Sequence, residues 1–122
     1  MGIDIYMKWR GMSKKDKESQ MMGFSVTHGH TGYLREAYHG EPYATKELVP
    51  ESFNSKTGEA KIKAEILSQR LPRVLELAAE RNINLYNGDH QEGVLQSYRD
   101  FVGLAEKMEA KTGTPVTIIA SY

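Results

Sequence analysis

The chain has no cysteine among its 122 residues. That excludes disulfides, thiolate nucleophiles and cysteine-ligated zinc or iron–sulfur centres. It also lacks charge of one sign: 16 lysines and arginines balance 16 aspartates and glutamates. A duplex-DNA binder gains its affinity by neutralising many phosphates, so the balance speaks against that class while leaving room for a local pocket for one anion. No stretch approaches the roughly 18 continuous apolar residues of a membrane helix. The opening MGIDIYMKWR alternates instead of forming the apolar run of a signal peptide. These absences together set the expectation of a cytoplasmic, membrane-free protein.

What is present is an ordinary globular composition, with 39% apolar and 26% charged residues. The length fits a single domain, 1–122, able to bury a core without staples. Ile3, Ile5, Met7 and Trp9 alternate with Asp4, Tyr6, Lys8 and Arg10, the period-two pattern of a strand with one face on the core. After Gly11, Ser13 and Asp16 suit the start of a short polar helical turn. Lys14, Lys15 and Lys17 on it read as a solvated connection, with a basic handle as the rival.

Phe24 to Val26 suggests a short strand, and His28-Gly29-His30-Thr31-Gly32 a turn. A helix is expected over 33–39, capped by Thr31 or Gly32 and stopped by Gly40 and Pro42. Leu34, Ala37 and Tyr38 would share its core-facing side, leaving Arg35, Glu36 and His39 toward solvent. An extended piece should occupy 43–49, closed by Pro50, and SFNSKTGEA reads as a loop. Helical periodicity over 62–81 marks Ile66, Leu67, Leu71, Val74, Leu75 and Ala78 as a buried stripe, with Pro72 kinking or dividing it. Residues 82–86 read as extended, Asn87-Gly88 as a turn, and Asp89 with Glu92 as a capping box. The helix over 90–112 carries Val94, Leu95, Tyr98, Val102, Ala105 and Met108, with Phe101 at its margin. Gly113 and Pro115 end it, and a strand of two apolar faces, suited to a sheet interior, closes the chain. The expected fold class is α+β: a small sheet including both terminal strands, packed on one face by two or three helices.

Function points to residues 23–46, which hold three of the four histidines, three of the seven tyrosines and four glycines. Ligand-capable side chains and permissive backbone concentrate there. Gly29 and Gly32 at a helix start offer N–H groups to an anion, Arg35 a planar cation, and Tyr33 and Tyr43 flat aromatic faces. With His28, His30, Glu36 and His39 these form the candidate site for a small anionic or nucleotide-like ligand, bound without a cofactor. The spacing is neither a Walker loop nor a dinucleotide fingerprint. Two other readings stand beside it. Aromatic residues with Arg35 have the composition of a protein-interaction or inhibitor module, and an edge strand at 43–49 would pair with a partner or a second copy. His28-x-His30, with His39, Asp4 or Glu36 as third ligand, would serve a metal-dependent hydrolase. No nucleophile elbow or isolated carboxylate pair is visible, so binding is favoured over catalysis.

The run GFSVTHGHTGYLREAYHGEPYATKELVPESF, with the opening GIDIYMKW and closing IIASY, resembles small uncharacterised proteins encoded by bacteria and their phages. The resemblance implies a cytoplasmic, phage-borne origin and carries over no functional residues. Small phage proteins of this kind include inhibitors of host defence, some of which sequester nucleotide signals.

Overall fold

The computed structural model describes residues 2–21 and 32–122. Its frame is a four-stranded antiparallel sheet of β1 (Gly2–Lys8), β2 (Tyr33–Ala37), β3 (Glu59–Ile62) and β4 (Val116–Ser121), in the order β2-β1-β4-β3. The two terminal strands are therefore its interior pair, joined in the register Asp4↔Ser121 to Lys8↔Thr117. The alternation over 3–9 holds: Ile3, Ile5 and Met7 are buried against Val116, Ile118 and Ala120 of β4. Among the described residues there are five helices: α1 (Lys14–Met21), α2 (Ala44–Leu48), α3 (Pro50–Asn54), α4 (Ala64–Tyr86) and α5 (Gln91–Thr112). Leu67, Val74 and Leu77 of α4 and Phe101, Val102 and Ala105 of α5 join the inward strand residues in one core. The α+β class is as the patterning indicates. No helix among the described residues is long and apolar enough to cross a membrane.

Between the terminal strands several local expectations give way. Residues 33–37 form strand β2, not a helix, pairing Tyr33↔Tyr6 through Ala37↔Gly2. A five-residue run of fair helix formers yields to the ladder offered by β1, a case of tertiary context overriding local propensity. Tyr38, expected in the core, is then 48% exposed. Within 43–49, Ala44–Leu48 form helix α2 instead of a strand, and the expected loop holds the end of α3 and the start of β3, with 55–58 as the turn between them. Pro50 occupies the first turn of α3, where its missing N–H costs nothing, so it opens a helix instead of closing an extended piece.

Helix α4 runs unbroken past Pro72 and through the stretch expected to be extended, ending where Asn87 takes a left-handed conformation. The Asp89–Glu92 capping box does not form. His90, itself left-handed at φ 59, is the residue before α5 and supplies no side-chain cap. At the other end Gly113 closes α5 at φ 77, as its sequence position indicates. The Ser13 hydroxyl accepts from the Asp16 N–H at 3.1 Å, fixing the start of α1. That helix is tied to the sheet by Gln20, whose side-chain amide pairs with both the N–H and the C=O of Met7.

Arg70 fastens α4 to the short helices. Its guanidinium makes two 2.7 Å bonds to the Glu51 carboxylate and a third, at 3.0 Å, to the Leu48 carbonyl. The Arg70 bonds hold the Glu51 carboxyl below its ordinary value of 4.5, against a smaller opposing effect of burial. A lowered folded-state value means stability that is whole above the unfolded value and lost as pH falls through the folded one. Glu51→Gln is therefore expected to lower the urea midpoint at pH 7 while shrinking the difference from wild type below about pH 4. The size is modest, because both side chains are partly solvated.

Candidate functional site

The strand geometry of 33–37 sorts the candidate residues onto opposite faces. Leu34 and Glu36 point into the core side, while Tyr33, Arg35 and Ala37 point outward. His28, Gly29 and His30 lie outside the described residues. So does the short strand expected at 24–26.

Glu36 is 9% exposed, against the expectation of a solvent-facing side chain. One carboxylate oxygen accepts from the N–H and hydroxyl of Thr45, at 2.9 and 2.6 Å. The other accepts from the Ala44 N–H at 3.0 Å and from His39 Nε2 at 2.7 Å. The carboxylate thus caps the first turn of α2, which explains why 44–48 is helical: the cap comes from eight residues upstream. The His39 side chain is likewise buried, only 3% exposed. Its Nδ1 meets the Gly40 carbonyl at 2.8 Å, so both ring nitrogens face acceptors. Tyr43 lays its ring 4.5 Å from that of His39, and its hydroxyl accepts from the Gly40 and His39 N–H groups. Glu36, His39 and Tyr43 therefore form a clasp that shapes residues 36–45. Gly32 has a similarly structural explanation. At φ +85, a Cβ there would stand 2.9 Å from that of Met7.

On the outward face Asp4 gathers its neighbours. Its Oδ1 accepts from the Tyr33 hydroxyl at 2.5 Å and from Arg35 at 2.6 Å. The Tyr6 and Tyr33 rings sit 5.3 Å apart across the strand pair. Both phenols are shifted upward, first by burial and then by Asp4, and the Arg35 guanidinium is held still more firmly protonated by its bond to Asp4.

A cavity of about 460 Å³ lies on the core side, between β2, the C-terminal half of α4 and the start of α5. Its walls include Ala78, Leu85, Val94 and Tyr98, and its polar groups include His39, Arg81, Asn82, Asp89 and His90. Asn82 is 4% exposed. Its amide nitrogen donates to the Asp89 carbonyl at 2.9 Å. Its Oδ1 is buried without a hydrogen-bond partner among the described residues. Leaving a buried acceptor unmatched costs about 1–3 kcal/mol, so this atom calls for a donor. Tyr98, beside it, is 3% exposed, and its phenol is pushed well up, by burial first and by the Glu36 charge second. Arg81 reaches the Glu41 carbonyl through one nitrogen at 2.9 Å. Leu85 and Tyr86 stand about half exposed at the rim, at 49% and 53%.

The described structure thus brings Glu36 and His39 to the cavity with Arg35 at its edge, while the Tyr33 hydroxyl and the Arg35 guanidinium turn to Asp4 on the outward face. Arg81, Asn82, Tyr86, His90 and Tyr98 were not singled out from sequence as site residues. The available signal was Asn82 itself, four residues after Ala78 and eight after Val74, a polar side chain on an apolar stripe. Among the described residues no group of three or more histidines and acids is placed to hold a metal ion. A wider groove of about 660 Å³ at the opposite end of the α4–α5 pair is lined by Glu65, Glu106 and Glu109 with no cation. No known protein family, curated protein or solved structure matches the chain.

Proposed function

We propose that the protein is a non-enzymatic binding domain whose cavity between β2, α4 and α5 holds a small, ring-bearing anionic ligand of nucleotide type. The observation that carries the reading is the unpartnered Asn82 Oδ1, buried in the wall of a ligand-sized cavity. A nucleobase presents the N–H or amino donor that such an atom lacks, and its flat faces suit Leu85, Tyr86 and Val94. Arg81, His90 and the uncapped start of α5 supply attraction for a phosphate at the rim. Asp89 works against it there. Binding is favoured over turnover because the nearest acid–base pair is already committed: both oxygens of Glu36 and both ring nitrogens of His39 are engaged in structural bonds. Sequestration of a nucleotide signal, as in phage inhibitors of host defence, is the role this chemistry fits.

Thermal-shift measurements with purine and pyrimidine mononucleotides, cyclic nucleotides and inorganic phosphate test the reading. A ligand held only by the folded state at a hundredfold excess over Kd adds about 2.7 kcal/mol, a rise of several degrees. Asn82→Leu should abolish the rise measured against its own baseline, and Arg81→Ala should reduce it. A flat response to every compound would remove the proposal.

A further inference from the structure

We infer that the outward face of the sheet is a second binding surface, distinct from the cavity although Arg35 borders both, and that it takes single-stranded nucleic acid. The registers lay its side chains out in rows. Tyr33, Tyr6, Ile119 and Glu59 stand side by side across all four strands. Arg35, Asp4 and Ser121 flank that row on one side, and Lys8, Thr117 and Lys61 on the other. The inward neighbours of these residues are buried in the core, except the partly buried Ala60, whereas the outward ones remain half-buried or exposed.

The chemistry of the rows selects the occupant. Two aromatic rings and an isoleucine make an apolar strip across the middle of the sheet. Asp4 fixes the Tyr33 phenol, and the Tyr6 ring packs beside that of Tyr33. A fixed ring with an open side is a stacking surface for a base, and stacking tolerates any sequence because every base has a π face. Arg35 is tied to Asp4 at 2.6 Å, which leaves that side of the strip neutral, so the cations offered to phosphate are Lys8 and Lys61 on the other side. A backbone running along the Lys8–Lys61 side can thus meet positive charge while its bases lie over the rings. Glu59, at the β3 end of the strip, opposes it and keeps the bases toward Tyr6 and Tyr33. The balanced net charge excludes reliance on phosphate contacts alone, which is how a duplex would have to bind. Unstacked bases, available only in a single strand, supply the remainder.

Fluorescence anisotropy with labelled 12-nucleotide oligouridylate and oligoadenylate, and with DNA of the same sequences, tests the assignment. Both single strands should bind at low salt, with a log K–log salt slope of about −1.4 if Lys8 and Lys61 meet phosphates. An RNA preference would assign a role to the 2′-hydroxyl, and equal binding would place the recognition in base and phosphate. Tyr6→Ala and Tyr33→Ala should each weaken binding about tenfold or more, while Tyr33→Phe, which keeps the ring, stays within a few-fold of wild type. Should either alanine variant fail to fold, the exposed Lys8→Glu keeps the test open; it must weaken binding and flatten the salt slope. Equal affinity for a duplex, no binding to any single strand, or indifference to both Tyr6→Ala and Lys8→Glu would overturn the assignment. So would loss of oligonucleotide binding in Asn82→Leu, which would put the strand in the cavity. A dimer broken by Tyr33→Ala without oligonucleotide binding would give the face to a second copy and overturn it too.

Discussion

Glu36→Ala is expected to lower the unfolding free energy by about 3–5 kcal/mol, the range for deleting one partner of a buried charged network. Four donors lose their acceptor together: the Ala44 and Thr45 N–H groups, the Thr45 hydroxyl and His39 Nε2. None can turn to water without opening the clasp, because Ala44 and Thr45 are fully buried. In a chain of this size the melting temperature should fall by something of the order of 10–20 °C. Chemical denaturation at pH 7 would measure it. Glu36→Gln is the informative companion. It keeps the shape and one acceptor oxygen but turns a second pair of donors on Ala44 and His39, so its loss should be intermediate. It also removes the charge that acts on Tyr98, so that phenol should titrate lower than in wild type while burial still holds it above the ordinary value of 10.0. An ultraviolet pH titration reads this directly. If Glu36→Ala were as stable as wild type, the clasp would be incidental, and the helical state of 44–48 would need another cause.

The same carboxylate marks the limit of what the sequence discloses. Alternation identifies β1 and β4 because every inward position there is apolar. In β2 one of the two buried positions is a glutamate, so YLREA shows no apolar alternation and reads as helix. The partner that makes it a strand lies some thirty residues earlier, and three of the four donors that satisfy its buried charge lie eight or nine later, on Ala44 and Thr45. Long elements fare better. The stripes of α4 and α5 repeat over six turns, enough to reveal the buried face despite Pro72. The five-residue helices α2 and α3 span little more than one turn each, and β3 offers only two inward positions. The site shows the same division. Arg35 and Tyr33 were legible as functional residue types but not as residents of the outward face, since a helix and a strand distribute them differently. The cavity was hidden because its walls come from three elements far apart in sequence, and only Asn82, polar on an apolar stripe, betrayed it.

Phe101→Ala carries the other large effect, an expected loss of about 3–5 kcal/mol. Helical spacing sets Phe101 at the margin of the α5 stripe, three residues from Tyr98 and four from Ala105, yet in the fold it is fully buried. The reason is that α5 meets two surfaces at once. It packs along α4 on one side and against β2 and β4 on the other, so its buried arc is wider than a single stripe. Phe101 shares the core with Val102 and Ala105 of its own helix and with the inward residues of the sheet. Removing its ring forfeits the transfer energy of a large apolar side chain and leaves a void that β-branched and short neighbours cannot readily fill. Val102→Ala, a smaller deletion on the same helix, should cost less. Val94→Ala, only partly buried at the cavity wall, should cost less again. Urea melts of the three variants separate these cases. A marginal position would make Phe101→Ala the mildest of them; a position between two packed surfaces makes it the most severe, and the fold requires the second order.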